Sequence, residues 1–222
     1  MRGAGLLVAG VVFAGLSASA EAAKWTVVEL SMTPLSGSVT PPWTVRLQAD
    51  GAGTYVESGS ADAKPIPLTV SEATLERVKM GEHAAKSGKC ETKAKNIAKT
   101  GEKTIRYQTA DADKPMECTF NYSDDAGLMG AAATFQAIAE TMQRGEKLEH
   151  DLRYDRLGLD AEMESLVEAQ KAGSAIEIRN IAPILQTLVS DDHVIDRVRR
   201  RAARLLQDAG EPVPPGFNPS EQ

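Results

Sequence analysis

Little in this sequence does chemistry on its own. Histidine occurs three times, cysteine twice, and aromatic residues make up only 5% of the chain. Three histidines (His83, His150 and His193) leave few routes to a metal centre or to imidazole acid–base catalysis. No Gly-x-Ser-x-Gly elbow is present, so the strand-to-helix nucleophile of the α/β-hydrolases is excluded. His-Glu-x-x-His, the phosphate-binding loop and the calcium-binding loop are also missing. Gly51-x-Gly53 lacks the third glycine of a dinucleotide fingerprint and reads as a hairpin turn. Past the first twenty residues no apolar run is long enough to span a bilayer. No cofactor is implied.

What is present at the N-terminus reads as an address. Met1-Arg2 is a short positive start, Leu6 to Leu16 an apolar stretch, and Ala18 and Ala20 supply the small residues a signal peptidase reads. Residues 1–20 are therefore expected to be a signal peptide, with a periplasmic or secreted mature protein. An uncleaved anchor fits less well, because Gly10, Gly15 and Ser17 interrupt a run already short for a span. Removing residues 1–20 leaves 24 Lys+Arg against 31 Asp+Glu, a net charge of −7. An acidic balance argues against nucleic acid, whose binders carry basic surfaces. In an exported chain Cys90 and Cys118 are expected to pair. Joining them closes a loop of about 29 residues, worth roughly 3–4 kcal/mol by chain entropy.

Two periods divide the remainder. In Trp43 to Asp50, Trp43, Val45, Leu47 and Ala49 alternate with polar residues, the pattern of a half-buried strand. Trp25 to Met32, Thr54 to Glu57, the stretch around Ile105–Thr109 and Met116 to Tyr122 read likewise. Asp50-Gly51-Ala52-Gly53 marks a turn. The segment after Glu57 reads as a Gly/Ser/Pro loop. Ser71 is placed to cap a helix running to about Ser87 and stopping at Gly88. From Asp124 the spacing becomes 3.6, with Leu128, Ala131, Phe135, Ile138 and Met142 on one face. A helix over about 125–155, broken near Gly145, is expected. A short helix from Asp160, a short strand at Ile176–Ile178, and paired helices near 180–189 and 192–207 complete the reading.

The fold class is thus α+β: an antiparallel sheet of four or five strands with one packed helix over 21–123, a helical bundle over 124–208, and a Pro-rich disordered tail over 209–222. The hairpin Asp50-Gly51-x-Gly53-x-Tyr55, with its Ser71-capped helix and second hairpin, resembles a family of uncharacterised bacterial envelope domains over about residues 24–122. That resemblance implies no activity. Residues 180–207 carry Pro183, a turn at Asp191-Asp192 and Val198-Arg199-x-x-Ala202-x-x-Leu205, and resemble a single HEAT-type helix hairpin. This implies a helix-packing, partner-binding surface. A solenoid stacks about three or more such repeats, and this sequence has one.

The functional expectation is an exported, non-enzymatic binding or protein-interaction module of the bacterial envelope. The alternatives are a secreted hydrolase, whose carboxylates no spacing selects, and a secreted enzyme inhibitor. Lys86, Lys89, Lys93, Lys95, Lys99 and Lys103 cluster around Cys90 with only Glu91 and Glu102 among them. In an acidic protein such a loop is a candidate dock for an anionic envelope protein or polymer. Glu146 and His150, at i and i+4, share a helical face and make half of a metal site, which needs about two more ligands. No metal site is assigned. Asp191, Asp192 and His193 read as capping residues. Arg197, Arg199, Arg200, Arg201 and Arg204 read as the solvated face of the last helix.

Overall fold

The computed structural model describes residues 25–38, 40–58 and 63–215. The stretch expected to be a signal peptide, residues 1–20, lies outside the described residues, as does the expected tail beyond Pro215. Six strands form one antiparallel sheet: β1 (Trp25–Thr33), β2 (Trp43–Gln48), β3 (Ala52–Glu57), β4 (Ile66–Thr69), β5 (Glu102–Thr109) and β6 (Met116–Phe120). Their order is β4-β3-β2-β1-β5-β6. The alternation predicts four or five strands and a loop where β4 lies; the structure has six strands. β4 is four residues long and contains Pro67, which has no N–H to donate. Such a strand is tolerated at an edge, where this one lies.

Period-two alternation sorts the sheet into two faces. Val28, Leu30, Val45, Leu47, Tyr55, Ile105, Tyr107, Cys118 and Phe120 point inward and are fully buried. The outward face is polar. Glu29 stands opposite both Arg46 and Arg106, and Arg106 opposite Glu117. These four make a charged row across four strands, in which Arg106 Nε lies 2.5 Å from Glu117 and its Nη1 3.2 Å from Glu29. Ser31–Thr44 and Thr104–Thr119 hydroxyl pairs, each 3.0 Å, form the next row. A solvated antiparallel face needs nothing more than this.

Helices cover the inner face. α1 (Glu72–Lys79) is capped by Ser71, and α2 (Glu82–Ser87) ends at Gly88, which takes φ +66°. The single helix expected to Ser87 is broken here, at Met80-Gly81. A Cβ on Gly81 would lie 2.5 Å from the Tyr107 hydroxyl, which donates to Val78 O at 2.5 Å. Tyr107 thus fills the space a side chain at the break would need.

α3 (Ala126–Tyr154) runs 29 residues without interruption, through the expected break at Gly145. Its first half is rich in alanine, and Ala131, Ala132 and Ala139 let it lie close over the sheet cluster. From Leu148 onward it belongs to a second apolar cluster, shared with α4 (Leu159–Ala172), α5 (Ala182–Ser190) and α6 (Asp196–Asp208). Gly145 lies at the boundary. Any Cβ there would run into Ile181. The short strand expected at Ile176–Ile178 is instead a turn leading into 3-10 helix at Ile178–Ile181. Pro183 occupies the first turn of α5, where its missing N–H costs no helical bond. In the Pro-rich segment from 209, Pro212 O accepts from Gln186 Nε2 at 3.1 Å and Val213 packs on the second cluster.

A clasp joins the two clusters away from α3. Glu177, in the left-handed region at φ 56°, turns its carboxylate onto the N-terminus of α1. Its Oε1 accepts from Ser71 N (2.8 Å), Ser71 Oγ (2.6 Å) and Thr74 Oγ1 (2.5 Å). Asn180 pairs with the β4 backbone as a neighbouring strand would. Its Oδ1 accepts from Thr69 N at 2.8 Å and its Nδ2 donates to Thr69 O at 2.9 Å. The edge of β4 is covered in this way.

Candidate functional site

The site is built where α2 ends. Gly88 reverses the chain, and the segment to Gly101 has no helix or strand. It is nevertheless fixed at three places. Cys90 is bridged to Cys118 of β6, with Cα atoms 5.3 Å apart. Asp124 holds the next turn, accepting from Thr92 Oγ1 at 2.6 Å and from Lys93 N at 3.3 Å. Asn121 holds the return. Its Oδ1 accepts from Thr100 N at 2.9 Å and its Nδ2 donates to Ala98 O at 2.9 Å.

Between the end of α2, this segment, Thr119 of β6 and the 123–125 turn lies an open groove of about 770 Å³. That volume lies within the range of ligand-binding clefts. Lys89 and Lys93 line it with His83, Glu91, Asp124 and Asp125. Two of the three acids are already committed to donors. Asp124 holds the loop, and Asp125 caps α3 by accepting from Leu128 N at 2.7 Å. The N-terminus of the 29-residue α3 thus lies beside the groove with Asp125 as its cap.

Lys86, Lys89, Lys93, Lys95 and Lys99 are all exposed. None joins an ion pair among the described residues. The sixth lysine of the sequence cluster lies elsewhere. Lys103 is on the inner face of β5, 5% exposed, with Nζ donating to Asn121 O at 3.0 Å and standing 6.0 Å over the Phe120 ring. Burial depresses its pKa. Its role is within the sheet, between β1 and β6, beside the loop that Asn121 also holds.

The other marked residues divide into local pairs. Glu146 and His150 do not converge on one site. His150 Nδ1 lies 3.2 Å from Asp151 Oδ1 and its ring 5.1 Å from that of Tyr154. Burial, then the neighbouring Glu57 and Glu149 charges, raise the Glu146 carboxyl above its ordinary pKa. Glu57 in turn accepts from the buried Tyr55 hydroxyl at 3.2 Å. This polar group between β3 and α3 carries no signal at the sequence level, because 89 residues separate its two carboxylates. Asp191, Asp192 and His193 do come together, with ligand atoms within 4.8 Å. Asp191 is occupied in capping, accepting from His193 N at 2.9 Å and pairing with Arg156 at 3.0 Å. Arg197 and Arg201 both reach Asp160, at 2.7 and 2.9 Å, tying α6 to α4. Arg199 Nε donates to Val189 O at 3.0 Å.

One further carboxylate is buried without being at the groove. Asp151 is 1% exposed, its Oδ1 held by Lys147 and His150 and its Oδ2 without a hydrogen bond. Burial acts to raise its pKa, and the Lys147 and His150 contacts outweigh burial and hold it below the usual range.

Compared with known proteins, the chain matches no protein-family model and no curated protein.

Proposed function

We propose that this chain is an exported, non-enzymatic binding module of the bacterial envelope, and that it takes an anionic partner in the groove beside Cys90. One observation carries the reading: four exposed lysines without ion pairs, Lys89, Lys93, Lys95 and Lys99, on a segment that a disulfide and two side-chain anchors hold in place, with Lys86 exposed at the end of α2 beside it. Fixing the loop before binding lowers the ordering cost that a free lysine-rich loop would meet on association. The disulfide and the leader-like N-terminus support an oxidising compartment outside the cytoplasm. Among the described residues no helix is long and apolar enough to cross a membrane.

The test is charge reversal. Lys89→Glu, Lys93→Glu and Lys95→Glu together place three acids where three bases stood. Binding to poly-L-glutamate at low salt is expected for the wild-type protein, to weaken as salt rises, and to be abolished in the triple variant with unchanged circular dichroism. Equal binding by the folded triple variant overturns the reading. So does a wild-type protein that binds no polyanion at low salt.

A further inference from the structure

The groove has a wall that its lysines do not explain. β6 is the last strand of the sheet, with β5 on one side and no strand on the other. Every second residue of such a strand turns its N–H and C=O outward. At the opposite edge these groups are dealt with: Pro67 has no N–H, and Asn180 takes both backbone groups of Thr69. β6 has no such cover. Among the described residues no N–H or C=O of Met116–Phe120 bonds to any backbone but that of β5. The bridged sulfur of Cys90 lies 3.9 Å from Glu117 O and carries no proton to give it.

Proteins blunt an open edge with a proline, a bulge or a free charge. β6 has none of the three. It contains no proline, and its register with β5 is unbroken from Met116 opposite Tyr107 to Phe120 opposite Lys103. Its one charge, Glu117, is held on the outer face by Arg106. The disulfide does not close the edge either. Cys118 points inward and is fully buried. The bridge therefore leaves β6 beneath the sheet, where α2 ends, and not in the plane of the strand's hydrogen bonds.

The groove opens on this edge. Thr119 of β6 lines it together with Lys89 and Lys93. We propose that an extended acidic peptide docks here as a seventh strand, its backbone bonded to the free edge of β6 and its alternate carboxylates facing Lys89 and Lys93. This rests on the groove reading and narrows the partner from any polyanion to a polypeptide. Two features select a peptide over a charged polymer of another kind. An open strand edge presents donors and acceptors in alternation, which another extended backbone matches along its length. A strand also sends every second side chain to one face. Acids at alternate positions then meet the lysines, and the residues between them lie level with the polar outer face.

Calorimetric binding at low salt, with amide exchange followed by NMR, tests it on the wild-type protein. The probes are an acetylated and amidated octapeptide of alternating Glu and Val, the same peptide with every amide nitrogen methylated, and polyacrylate. All three carry carboxylates, and only the first is able to donate along a strand edge. The octapeptide is expected to bind and to slow exchange within Met116–Phe120. The methylated peptide is expected to bind about tenfold more weakly, the worth of about two net hydrogen bonds. Polyacrylate is expected to leave exchange in β6 unchanged. Equal binding of the two peptides overturns the added strand while the groove reading stands. So does peptide binding without slower exchange in β6, or polyacrylate that slows it as much. If neither the octapeptide nor poly-L-glutamate binds, the groove reading falls and the strand with it.

Discussion

Glu177→Ala tests whether the clasp, rather than α3 alone, makes the sheet half and the helical half one cooperative unit. The side chain is 6% exposed and gives one oxygen to three donors on the α1 N-terminus. Hydrogen bonds to a charged group are worth about 1.5–3 kcal/mol each, and an unpaired buried donor costs about 1–3 kcal/mol. Thr74 is 3% exposed and has no ready access to water. Against these losses, removing the carboxylate also removes the cost of burying it, several kcal/mol. The net destabilisation expected for Glu177→Ala is about 2–4 kcal/mol. Glu177→Gly should recover about 1 kcal/mol of that, because a left-handed φ is strained for a residue with a Cβ. Glu177→Gln keeps an acceptor oxygen and should cost less than alanine.

The charge makes a second check. Burial pushes the Glu177 carboxyl upward, and the bonds from Ser71 and Thr74, with Arg179 beside it, outweigh burial and leave its pKa lowered. A lowered folded-state pKa gives stability that is fully present above the unfolded value of about 4.3 and is lost as pH falls through the folded value. Glu177→Gln should flatten this acid limb. Urea unfolding followed by tryptophan fluorescence and by far-UV circular dichroism reads both effects. Trp25 and Trp43 both lie in the sheet cluster, so fluorescence reports that half. The two signals should coincide in the wild type and separate when Glu177→Ala is combined with Asn180→Ala. Glu177→Ala within about 0.5 kcal/mol of the wild type, the range of an ordinary surface change, would refute the reasoning. An unaltered acid limb in Glu177→Gln would refute the electrostatic part alone.

Two smaller changes test the packing around α3. Gly145→Ala gains about 1 kcal/mol of helix propensity but forces a methyl into Ile181, an overpacking cost of about 1–3 kcal/mol. The expected net is a loss of about 1 kcal/mol, seen as a lower thermal midpoint and absent when the same change is made in an Ile181→Ala background, which lacks the Cγ2 that the methyl meets. Asp151→Asn weakens the hold on Lys147 and His150 and is expected to cost about 1–2 kcal/mol at neutral pH. Because the folded-state pKa of Asp151 is lowered, that difference should shrink as pH falls below about 4. A difference constant from neutral to acid pH would show that the charge is not what matters there.

The parts of the fold that were legible in the sequence are those that local pattern decides. Alternation found β2, β5 and β6, and the 3.6 period found α3. The same alternation also marks Lys103, which shares parity with Ile105 and Tyr107 and so belongs inside, although its charge groups it with the loop lysines. Where the reading failed, a distant residue decides the outcome. α1 and α2 are separate because Tyr107 fills the space at Gly81. Ile176–Ile178 is not a strand because Glu177 turns left-handed to serve Ser71, more than a hundred residues earlier in the chain. Of the candidate site, the lysines and the disulfide were visible. Asp124 and Asn121, which hold the loop, were not, since nothing in a single Asp or Asn says which backbone it will bond.

α3 and the clasp together explain why the sheet half and the helical half hold one arrangement. No break interrupts the 29 residues of α3. Alanines hold its first half against the sheet, and Gly145 admits Ile181 where the second cluster docks. The clasp fixes the same two halves from the side.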